Sequence, residues 1–225
     1  SESQTHTGTT SNDTIDKTNS DREWVLDGLN GNDTLKGGDK NDIIVGGLGA
    51  DQMTGGKGDD KFYYKQDHAD ANIFDTITDF RKPDFGADQI VAGVTQTSSH
   101  TRSTIFNDTS QHGSAYQINN NAGQLPTIFN FTYDTNTTSI NTASALSSHL
   151  SSFYVSPDGS SAFTIAEQFI LAIGDGDDTF TWLWEDTSKG GAVDSSELYP
   201  IAILTDYNND NMNGSEFQYQ TLSGV

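Results

Sequence analysis

Aspartate recurs at every ninth position from Asp33 through Asp42 and Asp51 to Asp60. Carboxylates at a fixed interval do chemistry only if the chain brings them together. In a coil that repeats its own structure every copy of a position falls in a row, and rows of like charge repel unless a cation lies between them. Calcium suits such rows, because it takes about six to eight oxygen ligands and accepts carboxylate and backbone carbonyl alike. Other chemistries find no constellation. The sequence has no H-E-x-x-H zinc pair and no G-x-S-x-G nucleophile turn. His6, His68, His100, His112 and His149 stand singly in polar surroundings without ligand spacing. The run Gly174-Asp175-Gly176-Asp177-Asp178 is too acidic to cradle a phosphate and reads as a turn or a stray ligand cluster. The expectation is a chain without catalytic residues or organic cofactor.

The elements that must position the aspartates share their period. Residues 28–63 divide into GLNGNDTLK, GGDKNDIIV, GGLGADQMT and GGKGDDKFY. Each unit opens on glycine (Gly28, Gly37, Gly46, Gly55) and carries an apolar residue at its eighth position (Leu35, Ile44, Met53, Phe62). A fixed period of this kind predicts a solenoid. The unit must turn and then extend, and glycines permit the turn. Its last residues form a short strand with one inward side chain, so the eighth positions stack into a thin apolar column. A flexible Gly/Asp linker would keep neither aspartate nor apolar residue in phase. So narrow a core does not hold the coil alone, which makes the cations structural.

These units resemble the repeats-in-toxin (RTX) nonapeptide, G-G-x-G-x-D-x-U-x with U a large apolar residue. The resemblance implies a right-handed parallel β-roll in which two units make one turn and calcium sits between a unit and the next but one. It pairs Asp33 with Asp51 on one edge and Asp42 with Asp60 on the other. It also implies ligation by the carbonyls of Leu29, Gly31, Gly38 and Lys40, facing those of Gly46, Leu48, Gly55 and Lys57. Leu29 and Lys40 depart from the pattern, each standing where the family has glycine. A carbonyl ligand survives that change, but the turn becomes less comfortable.

Composition agrees with a fold that needs cations. Lys+Arg is 11 against Asp+Glu 32, a formal charge of −21, and hydrophobic residues make up 32%. High charge with low hydrophobicity marks a chain that stays disordered without compensation. Nucleic acid is excluded as a partner for want of a basic footprint, and anionic membranes are disfavoured for the same reason. There is no cysteine, so stability comes from elsewhere, and metal is the available source. No stretch reaches the roughly 18 to 20 apolar residues of a membrane span. The N-terminal SESQTHTGTTSNDTIDK has neither the basic nor the apolar segment of a signal peptide. In the RTX family export runs instead through type I secretion, which reads an uncleaved C-terminal signal. The reading is a piece of a larger secreted protein, outside the cell, monomeric, with calcium and the type I machinery as partners.

Outside the repeats the signal is weaker. Gly8, Asp13 and Ile15 make a lone unit out of phase with Gly28, so residues 1–26 read as a linker or degenerate leading strand, with Trp24 and Leu26 covering the open end. The roll spans 27–64, and 65–225 is a β-rich cap and C-terminal region continuous with it. Overall the fold class is all-β, with one or two short helices. Asp75-Thr76-Ile77-Thr78-Asp79-Phe80 and Asp88-Gln89-Ile90 are similar to the strand pair after the roll in RTX proteins. That likeness makes Asp75 and Asp79 candidate ligands, with Ile77, Phe80 and Ile90 capping the apolar column. Phe129, Phe131 and Tyr133 alternate, as do Phe180, Trp182 and Trp184. Such stripes suit core packing better than a sugar platform. Asn141 to Leu150 reads as a helix, and Ala162 to Ile173 as helix or strand. The closing run from Trp184 to Phe217 resembles the C-terminal segment of many RTX proteins. Asp206, Asn208 and Asp210, or Asn209, Asn211, Asn213 and Glu216, are weaker calcium candidates that lack the EF-hand pattern. The favoured function is a calcium-binding domain of an adhesin. A glycan-binding module and an accessory domain of a secreted hydrolase stand as alternatives, while ice binding is disfavoured by outward Asn32, Asn41, Ala50 and Asp59.

Overall fold

The computed structural model describes residues 2–64, 73–92, 101–103, 106–108, 116–119, 124–126, 128–132, 141–150, 153–156, 167–174, 177–188, 192–208, 212 and 215–219. Tyr133, His68, His100, His112, Asp175, Gly176, Asn209, Asp210, Asn211 and Asn213 lie outside them.

The first strands are β1 (Gln4–Thr7), β2 (Thr14–Asp16), β3 (Trp24–Asp27), β4 (Thr34–Lys36), β5 (Ile43–Val45), β6 (Gln52–Thr54), β7 (Lys61–Tyr64), β8 (Asp75–Ile77) and β9 (Gln89–Ala92). The odd-numbered strands pair in parallel in one sheet and the even-numbered ones in a second. The chain alternates between the two sheets, which makes a parallel β-roll. Each strand from β2 to β9 points a large apolar side chain inward: Ile15, Leu26, Leu35, Ile44, Met53, Phe62, Ile77 and Ile90, none more than 3% exposed. Phe80, 1% exposed, closes on the same column.

The leading residues also stack on the repeats. Their β1 pairs with β3 and β2 with β4, so Leu26 lies inside the column rather than over its open end. That end belongs to β1, where exposed His6 is level with Leu26. Polar residues on an outermost coil discourage further strand pairing. Trp24 is half-buried, with the Lys17 ammonium 4.1 Å over its ring.

Downstream follow β10 (Thr101–Ser103), β11 (Phe106–Asp108), β12 (Tyr116–Asn119), β13 (Gln124–Pro126), β14 (Ile128–Thr132), α1 (Ala143–His149), β15 (Phe153–Ser156), β16 (Glu167–Gly174), β17 (Thr179–Asp186), β18 (Leu198–Leu204) and β19 (Phe217–Tyr219). The cap extends both sheets of the roll. β19 pairs with β9, and β18 pairs with β8 and leads through β17 and β16 to β14 and β11. Ile170, Ala172, Leu183 and Ala202 join the roll's core, whereas Phe169, Leu171, Ile173, Trp182 and Trp184 share a second core with Leu146 and Leu150. Trp182 and Trp184 are fully buried, so that aromatic stripe is core and offers no face to a sugar. α1 starts at Thr142, whose hydroxyl accepts from Ala145 N at 3.3 Å. Among the described residues no helix is long and apolar enough to cross a membrane.

Candidate metal centre: two rows of aspartates

The turns of the roll stack into two edges. On the first, Asp13 N donates to Asp33 Oδ1 at 2.7 Å, Asp33 N to Asp51 Oδ1 at 2.7 Å, and Asp51 N to Asp75 Oδ1 at 2.9 Å. On the second, Trp24 N donates to Asp42 Oδ1 at 2.7 Å, Asp42 N to Asp60 Oδ1 at 2.7 Å, and Asp60 N to Asp88 Oδ1 at 3.0 Å. The carboxylates of one coil thus satisfy backbone N–H groups of the coil before it. Asp33, Asp42, Asp51, Asp60, Asp75, Asp79 and Asp88 are all at most 6% exposed.

The second carboxylate oxygen turns toward the first glycine of its own unit. A Cβ on Gly28, Gly37, Gly46 or Gly55 would collide with Oδ2 of Asp33, Asp42, Asp51 or Asp60 respectively. Close approach therefore requires glycine at position one. Asp42 Oδ2 accepts from Gly38 N at 2.6 Å, but Oδ2 of Asp33, Asp51 and Asp60 is buried without a hydrogen-bond partner. Asp79 accepts from Gly55 N and Gly56 N, both at 2.9 Å, one on each oxygen.

Burial raises six of these carboxyls. It pushes the Asp51 and Asp88 carboxyls up to about 6 and those of Asp60 and Asp75 up to about 8, while Asp33 and Asp42 also rise. The charges of Asp88, Asp42 and Asp79 add to the rise at Asp60, and that of Asp51 adds to the rise at Asp75. A buried carboxylate oxygen without a partner is costly. A divalent cation supplies both the missing partner and the missing charge, so the donor set fits calcium. Among the described residues no three acidic or histidine side chains converge on one point, so backbone carbonyls must complete any coordination shell.

The carbonyl-bearing turns lie against one another. Leu48 N donates to Leu29 O at 2.8 Å, Gly31 N to Leu48 O at 2.9 Å, and Lys57 N to Gly38 O at 2.9 Å. Each of these carbonyls keeps a second lone pair. Gly31 stacks on Gly49, Gly46 O faces Gly28, Gly55 O faces Gly37, and Lys40 faces Gly58. Leu29 takes the left-handed conformation, with φ 73°, that glycine has at the equivalent Gly47, φ 109°. Lys40 does not, so the second unit makes a different turn from the others.

Asp13 and Asp88 join the rows although the sequence reading, which noted both, named neither as a candidate ligand. Both carry the D-x-apolar signature of the repeat, in Asp13-Thr14-Ile15 and Asp88-Gln89-Ile90. Their separations along the chain, 20 residues to Asp33 and 28 from Asp60, differ from the 18 between Asp33 and Asp51.

Residues 27–62 match the family model of the RTX calcium-binding nonapeptide repeat in four copies. No curated protein and no solved structure matches the chain. The repeat match, the parallel two-sheet coil and the buried aspartate rows agree: residues 27–62 form a calcium-binding β-roll of the RTX family.

Proposed function

We propose that this protein is the non-catalytic, calcium-binding C-terminal part of an adhesin exported by type I secretion, folding outside the cell when calcium closes the roll. In this reading Asp33 with Asp51 holds ions on the first edge, joined by the carbonyls of Leu29, Gly31, Gly46 and Leu48. Asp42 with Asp60 does so on the second, joined by those of Gly38, Lys40, Gly55 and Lys57. Asp75 and Asp79 complete the last sites. The observation that carries the reading is the set of buried, partnerless oxygens on Asp33, Asp51 and Asp60. Calcium is scarce inside cells and plentiful outside, so linkage of binding to folding keeps the chain loose for export and closes it on arrival. Described strands beyond residue 65 extend both sheets of the roll, which supports a single continuous domain.

Circular dichroism with chelator and then with millimolar calcium tests the first half of the proposal. The expected result is a roll that is unfolded in chelator and gains β structure on addition of calcium, and an unchanged spectrum in chelator overturns it. Expression of the full chain, fused to a reporter, beside a type I exporter tests the second half. A fusion retained inside the cells removes the export role.

A further inference from the structure

On its second edge the roll ends on a cation of its own. Arg81 lies in the turn between β8 and β9, and its backbone N donates to Asp88 Oδ2 at 2.9 Å. Its guanidinium donates through Nε to the Asp88 carbonyl at 2.8 Å, through one terminal nitrogen to Glu216 Oε1 at 2.9 Å, and through the other to Ser215 Oγ at 3.0 Å. Glu216 is 1% exposed and the Arg81 side chain 17%. Arg81 holds φ 48°, a left-handed conformation that is disfavoured for a non-glycine residue. That conformation is maintained by the bonds at both ends of the residue.

The partners of Arg81 stand at the end of the second row. Phe217 is level with Ile90, and Ser215 and Glu216 form the turn that leads into it. The row runs Asp42, Asp60 and Asp88, and Arg81 links its last member to Ser215 and Glu216. Ile90 N donates to Glu216 O at 2.7 Å, so the same residue that pairs with Arg81 also docks β19 onto β9. The guanidinium lies beyond Asp60 and Asp88 on this edge, between Asp88 and the residues that lead into the C-terminal strand.

We propose that Arg81 is a tethered cation that ends the calcium row on this edge and holds β19 in place without a metal ion at that level. The inference rests on the calcium reading above. It predicts that a chain without the guanidinium recruits an ion in its place, because the fully buried Asp88 would lose the positive charge beside it.

The test counts calcium ions per folded chain by equilibrium dialysis with elemental analysis, and follows exchange of the Ile90 amide. Arg81→Gln is expected to bind one ion more than the wild type, and Arg81→Lys the same number. Glu216→Gln keeps the wild-type number but exchanges the Ile90 amide at least about tenfold faster, as the C-terminal strand loosens. An Arg81→Gln chain with no further ion, or an Arg81→Lys chain that gains one, overturns the tethered cation. If Arg81→Gln does not fold in calcium, Glu216→Gln decides: faster exchange at Ile90 supports the proposal and unchanged exchange overturns it. A wild-type chain that binds no calcium sinks the calcium reading itself, a result distinct from all of these.

Discussion

β4 buries Leu35 alone, between half-exposed Thr34 and Lys36, whereas β17 buries Trp182, Leu183 and Trp184 in succession. Full burial of one leucine contributes about 1.5–3 kcal/mol, while fixing the backbone of three residues costs about 3–6 kcal/mol. Burial of the one leucine therefore does not exceed the cost of ordering a roll strand even before its turn is considered, and its turn buries carboxylates. The cap strand gains apolar area on both faces, one against the roll's core and one beneath α1. The difference teaches that the cap holds itself by packing and the roll by charge compensation. Removing calcium is the most direct way to separate them. In excess chelator, hydrogen exchange is expected to lose protection first and most at Asp33 and Asp51, whose amides bond the first row. Amides of β16 and β17 should retain at least about tenfold more. Equal loss in both regions would break the contrast.

Protons offer a second handle on the roll alone. The raised carboxyls sit above the ordinary aspartate value of 3.8, about 6 for Asp51 and Asp88 and about 8 for Asp60 and Asp75. The folded, metal-free roll thus holds protons that the unfolded chain releases. Their stabilising contribution is complete below about pH 4 and lost as pH rises through about 6 to 8. Without calcium the roll should gain β structure as pH falls from 8 to 5. Apparent calcium affinity should move the other way, falling as pH drops below about 8, because ion and proton compete for the same oxygens. Dichroism titrations at several pH values check both signs, and a chelated roll that melts on mild acidification contradicts this account.

What was legible in the sequence follows the same division. The repeats announce themselves because turn, aspartate and inward residue recur in phase. The roll continues beyond them, but its separations stretch from 18 residues to 20 at Asp13, 24 at Asp75 and 28 at Asp88. Strand pairing keeps these positions level in space while loops lengthen between them, and a search for a fixed period loses them. In the cap, Gln168-Phe169-Ile170-Leu171-Ala172-Ile173 is apolar on both faces because both are buried, so alternation is absent and helix and strand read alike. The partner of Arg81 lies 135 residues away, and no local pattern joins them. The helix at α1 and the burial of Trp182 and Trp184 were readable, since each follows from local spacing and apolar character.

A cavity in the cap is expected to have a smaller effect than loss of calcium. Trp182 is fully buried, and its ring meets Phe74 edge-on at 4.7 Å. Phe74 precedes Asp75, so this contact joins the cap's core to the end of the first aspartate row. Trp182→Ala should cost about 3–5 kcal/mol of stability in saturating calcium, from lost burial and the cavity left behind. Ions bound per chain should stay the same, since no ligand candidate is touched. Denaturant unfolding and calcium counting on one sample measure the two quantities. A fall in ion number would mean that packing and metal sites are coupled more tightly than the contrast between regions allows.

The smallest effect returns to the roll and reverses in sign. Leu29 holds the left-handed φ of 73° where Gly47 and Gly56 stand in later units. An L-residue there is disfavoured by about 1–2 kcal/mol, partly offset by the extra freedom glycine has in the unfolded chain and by the loss of Leu29's half-buried side chain. Leu29→Gly should therefore stabilise the calcium-bound roll by about 0.5 kcal/mol and lower the calcium concentration needed to fold it. The reciprocal change is not symmetrical: a Cβ at Gly47 would collide with the Leu29 carbonyl oxygen, so Gly47→Ala should raise the calcium midpoint. If Leu29→Gly raises it too, the leucine side chain supports the turn by packing, and backbone strain is not what limits the first unit.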